Sequence, residues 1–112
     1  MIDFPQVRKL AAALPEVEES TSYGTPALKV RGKLMARLKE DGRTLVLRVS
    51  WEERERLLAV SPEVCFLTDH YRGHPWVLVR LECVSPEQLR HSLQHAWRES
   101  APKALLKKHT SQ

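Results

Sequence analysis

Three consecutive runs of alternating apolar and polar residues between positions 27 and 49 constrain the fold of this chain most strongly. Alternation with a period of two is typical of β-strands that bury one face. Turn signals separate the runs, namely Gly32 and the EDG sequence at 40–42. The sequence therefore predicts an antiparallel meander with an aliphatic face made of Leu28, Val30, Leu34, Ala36, Leu38, Leu45, Leu47 and Val49.

Positive charge is concentrated on the other face of the predicted meander. Between Lys29 and Arg48, seven basic residues stand against two acidic ones, a net charge of +5 in a chain whose formal net charge is +4. Such a concentration favours polyanion partners, although a charged strand face is more often only solvated. Met35 and Val46 are predicted as exposed apolar residues on this face. The basic residues are Lys29, Arg31, Lys33, Arg37, Lys39, Arg43 and Arg48.

Further strands are predicted on both sides of the meander. The VEESTSY sequence at 17–23 is rich in hydroxyl and β-branched residues and ends at turn signals, which indicates a first strand. The CFLT sequence at 65–68 predicts a short extended segment, and WVLVRLECV at 76–84 predicts a longer strand.

Three helices are predicted from capping signals and apolar periodicity. A residue that can cap a helix is followed three positions later by a glutamine or glutamate, which is the capping-box pattern. The pairs are Asp3 with Gln6, Ser50 with Glu53, and Ser85 with Gln88. The expected buried positions are Trp51, Leu57 and Leu58 in the second helix, with Arg54 in water, and Leu89, Leu93, Ala96 and Trp97 in the third.

The predicted order of elements is α-β(4)-α-β(2)-α, which indicates an α+β fold in a single domain spanning residues 1–112. A chain of 112 residues fits one compact core. The residues from about 101 are expected to form a short amphipathic turn and a basic tail. The N-terminal region has no apolar run typical of a signal peptide, and no window approaches a membrane span, so a cytoplasmic protein without a membrane partner is expected.

The loop DHYRGHPW at 69–76 gathers several chemically active side chains. Its possible site residues are His70, Tyr71 and His74, while Arg72 extends the basic set. No nucleophile accompanies them in a recognised motif, so catalysis is not predicted. A turn at Gly73 before a strand explains the loop without a ligand, but it does not explain why these side chains cluster.

No metal or other cofactor is predicted. His91 and His95 lie one helical turn apart, but they are expected on the solvent side of the third helix without a third ligand. Cys65 and Cys83 are not in CxxC spacing and are expected as small buried residues. A disulfide between them stays open from sequence.

Four segments resemble the MmcQ/YjbR family of small bacterial proteins. They are GTPALKVRGKLMARLKEDG, WEERERLL, HYRGHPWVLVRL and AWRESAPKALLKK, and together they cover nearly the whole chain. The resemblance implies a two-layer α+β domain, with an antiparallel sheet covered by helices on one face, similar in shape to frataxin and to secretion chaperones. Members are described as DNA-binding through fold comparison, and the family offers no agreed catalytic residues.

Two function classes follow from these observations. The first is a non-catalytic domain that binds nucleic acid, specifically DNA, with phosphates on Lys29, Arg31, Arg37, Lys39 and Arg48 of an open sheet face. Lys33, Arg43 and Arg72 are expected at its rims. The alternative is a protein-interaction or chaperone-like module that docks a partner or a second copy on the same face. An enzyme for a small anionic substrate at the HYRGH loop is a third hypothesis.

Overall fold

The computed structural model describes residues 1–110, apart from the side chain of Thr110. Six strands and four α-helices follow one another in the predicted order, with a last helix in place of the expected turn and tail. One turn of 3-10 helix lies between the last two strands, at Asp69–Tyr71. The elements are α1 Phe4–Ala11, β1 Val17–Ser22, β2 Thr25–Val30, β3 Lys33–Leu38, β4 Thr44–Arg48, α2 Trp51–Val60, β5 Cys65–Phe66, β6 Trp76–Arg80, α3 Pro86–Ser100 and α4 Lys103–Thr110.

All six strands form one antiparallel sheet in the order β1-β2-β3-β4-β6-β5. The inner face packs against α1, α3 and α4, so the α+β prediction with helices on one face is confirmed. Residues 111 and 112, the end of the expected tail, lie outside the described part of the chain. None of the helices within residues 1–110 is long and apolar enough to cross a membrane.

Helix α3 fills the space above the inner face with the predicted apolar stripe. Leu89, Leu93, Ala96 and Trp97 are all buried, as its periodicity predicted. The Trp97 indole Nε1 also donates a hydrogen bond of 2.8 Å to the carbonyl of Pro15, in the link between α1 and β1. A buried indole N–H needs such an acceptor, so Trp97 fixes α3 against the start of the sheet.

A β-bulge in β3 changes which side chains of that strand reach the core. Leu28 pairs with Ala36, whereas the next residue of β2, Lys29, pairs with Leu34, which leaves Met35 as an additional residue. Met35 is fully buried in the core beneath the helices. The prediction of Met35 as an exposed residue on the basic face is therefore wrong, because the bulge interrupts the two-residue period on which it rested.

The second helix also differs from its predicted pattern. Trp51, expected in the core, is 50% exposed, while Arg54, expected in water, is only 8% exposed. Leu57 and Leu58 are half-buried against the main core, as predicted. Periodicity treats arginine as a solvent residue, but its guanidinium can be buried where carbonyl acceptors converge on it.

The β3–β4 turn is closed by the carboxylate of Asp41. It accepts hydrogen bonds from the backbone N–H groups of Arg43 and Thr44 at 2.8 and 2.9 Å and from Thr44 Oγ1 at 2.7 Å. Partial burial opposes ionisation, but these donors outweigh it and hold the pKa of Asp41 below its ordinary value.

Replacing Asp41→Asn should lower the free energy of unfolding by about 1 kcal/mol at pH 7, because the uncharged side chain is a weaker acceptor. A carboxyl whose pKa is depressed by folding stabilises the fold above the unfolded pKa of about 4, and this contribution is lost as pH falls through the folded pKa. Urea unfolding between pH 7 and 2.5 should therefore show the two proteins converging in acid. Asp69→Asn, at an exposed carboxylate, is the control, and a loss of equal size at every pH would contradict the assignment.

Candidate functional site

The outer face is the side of the sheet opposite α1, α3 and α4. One row of paired residues crosses all six strands on this face, and it runs Ser20, Ala27, Arg37, Val46, Leu78, Phe66. Paired residues of neighbouring strands share a face. This row therefore places one cation, Arg37, beside an apolar centre formed by Val46 and Leu78.

The covering loop, residues 67–75, lies over that apolar centre. Tyr71 packs on Val46 and Leu78 in a second hydrophobic cluster, separate from the main core. Val46 is therefore on the predicted face but buried, and the prediction of an open sheet face is wrong at its centre. The sequence offered no signal for this cover, because the loop is polar and its one buried ring cannot be identified from spacing.

Arg37 anchors the covering loop from the sheet. Only 7% of this residue is exposed, and its Nη2 donates a hydrogen bond of 3.2 Å to the Tyr71 hydroxyl. Its Nη1 donates to Thr25 Oγ1 at 3.1 Å and lies 3.3 Å from Glu40 Oε1. Burial acts against the charge of Arg37, but hydrogen bonds with Tyr71 and Glu40 raise its pKa above the ordinary value. The guanidinium is therefore charged and enclosed.

Arg54 anchors the same loop from α2. Its Nη1 donates to the backbone carbonyl oxygens of Tyr71 at 3.2 Å and of His74 at 2.8 Å. Its Nε has no hydrogen-bond partner among the described residues, although the Glu55 carboxylate is 3.5 Å away. Two buried guanidinium groups thus hold Tyr71, one at the hydroxyl and one at the carbonyl.

Each of these arginines also supports an exposed aromatic ring. The Cζ of Arg37 lies 5.2 Å from the ring centroid of Tyr23, which is 86% exposed, and the Cζ of Arg54 lies 4.6 Å from that of Trp51. Two further guanidinium groups stack on half-buried rings, Arg48 on Trp76 at 4.5 Å and Arg80 on Phe66 at 4.1 Å. The composition, with 6% aromatic residues, gave no sign that so many rings lie outside the main core.

Three of the predicted phosphate-binding residues lie on the outer face with partly exposed side chains. Lys29 and Lys39 are half-buried. Arg48 is half-buried too, and its Nε donates to the carbonyl of Leu34 at 3.2 Å. Burial lowers the pKa of Arg48 below its ordinary value. Together these residues bring positive charge to the borders of the covered centre.

The other four predicted cations lie in exposed turns or at a strand end. Lys33 begins β3, and Arg31, in the turn before it, forms two hydrogen bonds of 2.9 Å with the Glu16 carboxylate. Arg43 lies 3.9 Å from the Glu82 carboxylate, and Arg72 lies 2.9 Å from that of Asp69. The three arginines therefore have intramolecular partners that a count of charges in the sequence did not reveal.

The histidines of the covering loop are exposed. His70 contacts the Tyr71 ring edge to face, with ring centroids 4.8 Å apart, and His74 carries the carbonyl bound by Arg54. Asp69 pairs with Arg72 rather than with either histidine. The three possible loop-site residues, His70, Tyr71 and His74, are therefore close in space, but the buried Tyr71 has a structural role.

The remaining predicted positions have other surroundings. His95 is half-buried, and its Nε2 accepts a hydrogen bond of 3.1 Å from the backbone N–H of Ser50, the N-cap of α2, so its prediction as a solvated residue is wrong. Within residues 1–110, no group of three His, Cys, Asp or Glu side chains is arranged to hold a metal ion.

The two thiols are not bonded to each other, and Cys83 is exposed, contrary to its predicted burial. Cys65 is buried as predicted, and this burial raises the pKa of its thiol to about 11. It lines a cavity of about 350 Å³ between α2 and α3, together with Leu57, Val79 and His91. A thiol with such a pKa stays protonated near neutral pH and is a poor nucleophile.

A model of the YjbR family matches residues 12–99 of this chain. Uncharacterized proteins from Mycobacterium bovis and from two strains of Mycobacterium tuberculosis are 42% identical to it over 50 residues. Those alignments cover 45% of this chain and 39% of each relative, so the match spans less than half the length of these curated relatives.

A crystal structure of a Deinococcus radiodurans protein, with the family-model domain DUF419, has a similar fold. Its TM-score is 0.76 at 24% sequence identity, and the match covers 96% of this chain and 88% of that chain. At this identity the likeness supports the architecture and carries no information about a ligand.

Replacing Arg54→Met, which keeps much of the side-chain volume, should lower the free energy of unfolding by about 2 kcal/mol, because the carbonyls of Tyr71 and His74 lose a charged donor. The covering loop should also become more open to trypsin at Arg72. Arg56→Met is the matched control on the same helix, because Arg56 forms an exposed ion pair with Glu53. It should change stability by less than about 1 kcal/mol. Equal losses in the two variants, measured by urea unfolding, would contradict the anchoring role of Arg54.

Proposed function

The chain belongs to the YjbR family, and we propose that it is a non-catalytic domain that binds DNA through cations around the outer face. Phosphate recognition requires positive charge along a surface and does not require a reactive group. The observation that carries the proposal is the positioning of Lys29, Lys39 and Arg48 on one sheet face, whereas the exposed Lys33 pairs with the buried Val30 and so lies toward the other face.

The paired arginines at the rims are compatible with the same role. Arg31, Arg43 and Arg72 form exposed ion pairs with carboxylates. Water and salt screen exposed pairs of this kind, so a phosphate can replace the carboxylate at little cost. These residues therefore add contacts on a long ligand without determining whether it binds.

Arg37 does not belong to the contact set of this proposal, although it was one of the predicted phosphate ligands. It is enclosed by Thr25, Glu40 and Tyr71, and its removal would leave these partners unsatisfied. A variant at Arg37 would thus confuse loss of folding with loss of binding. For this reason the test below leaves Arg37 intact.

The protein-interaction alternative loses the observation that favoured it. That hypothesis used Met35 and Val46 as exposed apolar residues of an interface, and both are buried. The exposed apolar rings on the surface, Tyr23 and Trp51, each contact an arginine instead. Rings supported by cations are also a feature of surfaces that bind single-stranded nucleic acid.

Binding to a labelled duplex should fall with added salt at a slope of roughly −2.7 in log affinity against log salt, if Lys29, Lys39 and Arg48 each neutralise one phosphate. The double replacement Lys29→Ala with Lys39→Ala should make this slope shallower by about two units, because two counterions fewer are released. Fluorescence anisotropy titrations at several salt concentrations measure both slopes.

The matched control is the double replacement Lys9→Ala with Lys103→Ala. It removes the same charge from exposed positions of α1 and α4, on the helix side of the sheet. Its salt slope should stay within about half a unit of the parent slope. Equal effects of the two double variants would refute the outer face as the contact surface, and binding of neither the duplex nor a single strand at low salt by folded protein would refute DNA binding.

A further inference from the structure

We propose that Tyr23 and the recess beside it form a stacking subsite for an unpaired nucleobase, so that the ligand of the outer face is single-stranded. This inference rests on the proposed function and assigns the class of nucleic acid.

Tyr23 occupies a backbone position that disfavours a large side chain. It forms the β1–β2 turn together with Gly24, and the two residues have φ values of 53° and 78°. Two-residue hairpin turns with both φ values positive prefer asparagine, aspartate or glycine at the first position. The backbone of this tyrosine is thus strained. Because the residue is 86% exposed, its side chain contributes almost nothing to the stability of the fold through burial.

The β2–β3 turn provides a comparison within the same sheet. Arg31 and Gly32 have φ values of 47° and 82°, so this turn has similar geometry. In that turn the residue with the strained backbone has a partner for its side chain, because Arg31 forms two hydrogen bonds with Glu16. Among residues 1–110, Tyr23 has the stacking contact with Arg37 and no side-chain hydrogen bond, and its 86% exposure leaves the hydroxyl and the other ring face in solvent.

The ring of Tyr23 is supported from below by a fixed cation. Arg37 contacts one face of the ring, and Thr25, Glu40 and Tyr71 hold this guanidinium in turn. An aromatic face that is already backed by a cation is ordered before a ligand arrives, so little conformational entropy is lost on binding. Bases of any sequence can stack on such a ring.

A recess of about 280 Å³ adjoins this ring on the outer face. It is lined by Tyr23, Arg37, Lys39, Glu40, His70 and Tyr71. The Lys39 ammonium offers a contact for a backbone phosphate, and the Glu40 carboxylate offers an acceptor for the exocyclic amine of a base. Hydrogen bonding to its own backbone and the charge of Arg37 hold the pKa of Glu40 below its ordinary value, so this acceptor is ionised.

These features suit an unpaired base and not a duplex. In a duplex both faces of an internal base are covered by its neighbours, so it cannot stack on a side chain unless it leaves the helix. A single strand presents its bases without that cost, and its phosphates can follow the cations at the borders of the outer face. The same cations also hold a duplex, but only through its backbone.

The test compares Tyr23→Asn and Tyr23→Phe with the parent protein, on a labelled 12-nucleotide strand of mixed sequence and on its duplex. Asparagine suits the turn, so Tyr23→Asn should unfold at the same temperature as the parent or higher while lacking the ring. We expect its affinity for the single strand to fall about tenfold or more, with duplex affinity unchanged within twofold. Tyr23→Phe, which keeps a stacking face, should stay within threefold of the parent on both ligands.

Val60→Asn removes another exposed apolar side chain, at the end of α2, and serves as the control for a general loss of surface hydrophobicity. It should leave both affinities unchanged. If strand and duplex bind and neither responds to Tyr23→Asn, or both weaken equally, the stacking subsite is refuted while DNA binding stands. If neither ligand binds the folded parent at low salt, the proposed function fails and the subsite fails with it.

Discussion

The hydrogen bonds that two buried arginines donate to Tyr71 determine the shape of the outer face. Arg37 reaches the hydroxyl from the sheet and Arg54 reaches the carbonyl from α2, so the ring is held over Val46 and Leu78 from both sides. A buried guanidinium is tolerated only where acceptors satisfy it, which makes the loop and the two arginines mutually dependent. The same two cations support the exposed rings of Tyr23 and Trp51, and these rings are therefore ordered by the interactions that cover the apolar centre.

Much of the architecture could be predicted because it depends on local signals. Capping boxes at Asp3 and Ser85 mark the starts of α1 and α3, and the stripe that includes Leu93 and Trp97 identifies the buried side of α3. The order of the first four strands also follows from short turns between the predicted strands. The predictions for Met35 and Arg54 were wrong because their burial depends on partners outside their own elements, a bulged pairing with β2 in one case and two carbonyl acceptors of a loop in the other.

The candidate site was harder to predict than the fold. Charge patterning in the sequence predicted that Lys29, Lys39 and Arg48 share one sheet face, and all three lie on the outer face. Charge patterning could not distinguish these residues from Arg37, which is enclosed. The burial of Arg37 depends on its contact with Tyr71, in a loop more than thirty residues away in the sequence. Aromatic content was uninformative, since a low total says nothing about how many rings remain at the surface.

Because of the bulge at Met35, the length of β3 can change by one residue without a change in which side chains face the core. On either side of the bulge, Lys29 pairs with Leu34 and Leu28 pairs with Ala36. The side chains of β3 before and after Met35 therefore point to the same faces of the sheet as they would in an uninterrupted ladder. A chain lacking this one residue could pair β2 with β3 regularly and still present the next cation to the outer face. It would lose only the volume of one side chain from the core. A single-residue deletion in the middle of a sheet normally reverses every side chain beyond it, whereas here the strand has a position where its length can vary without that reversal.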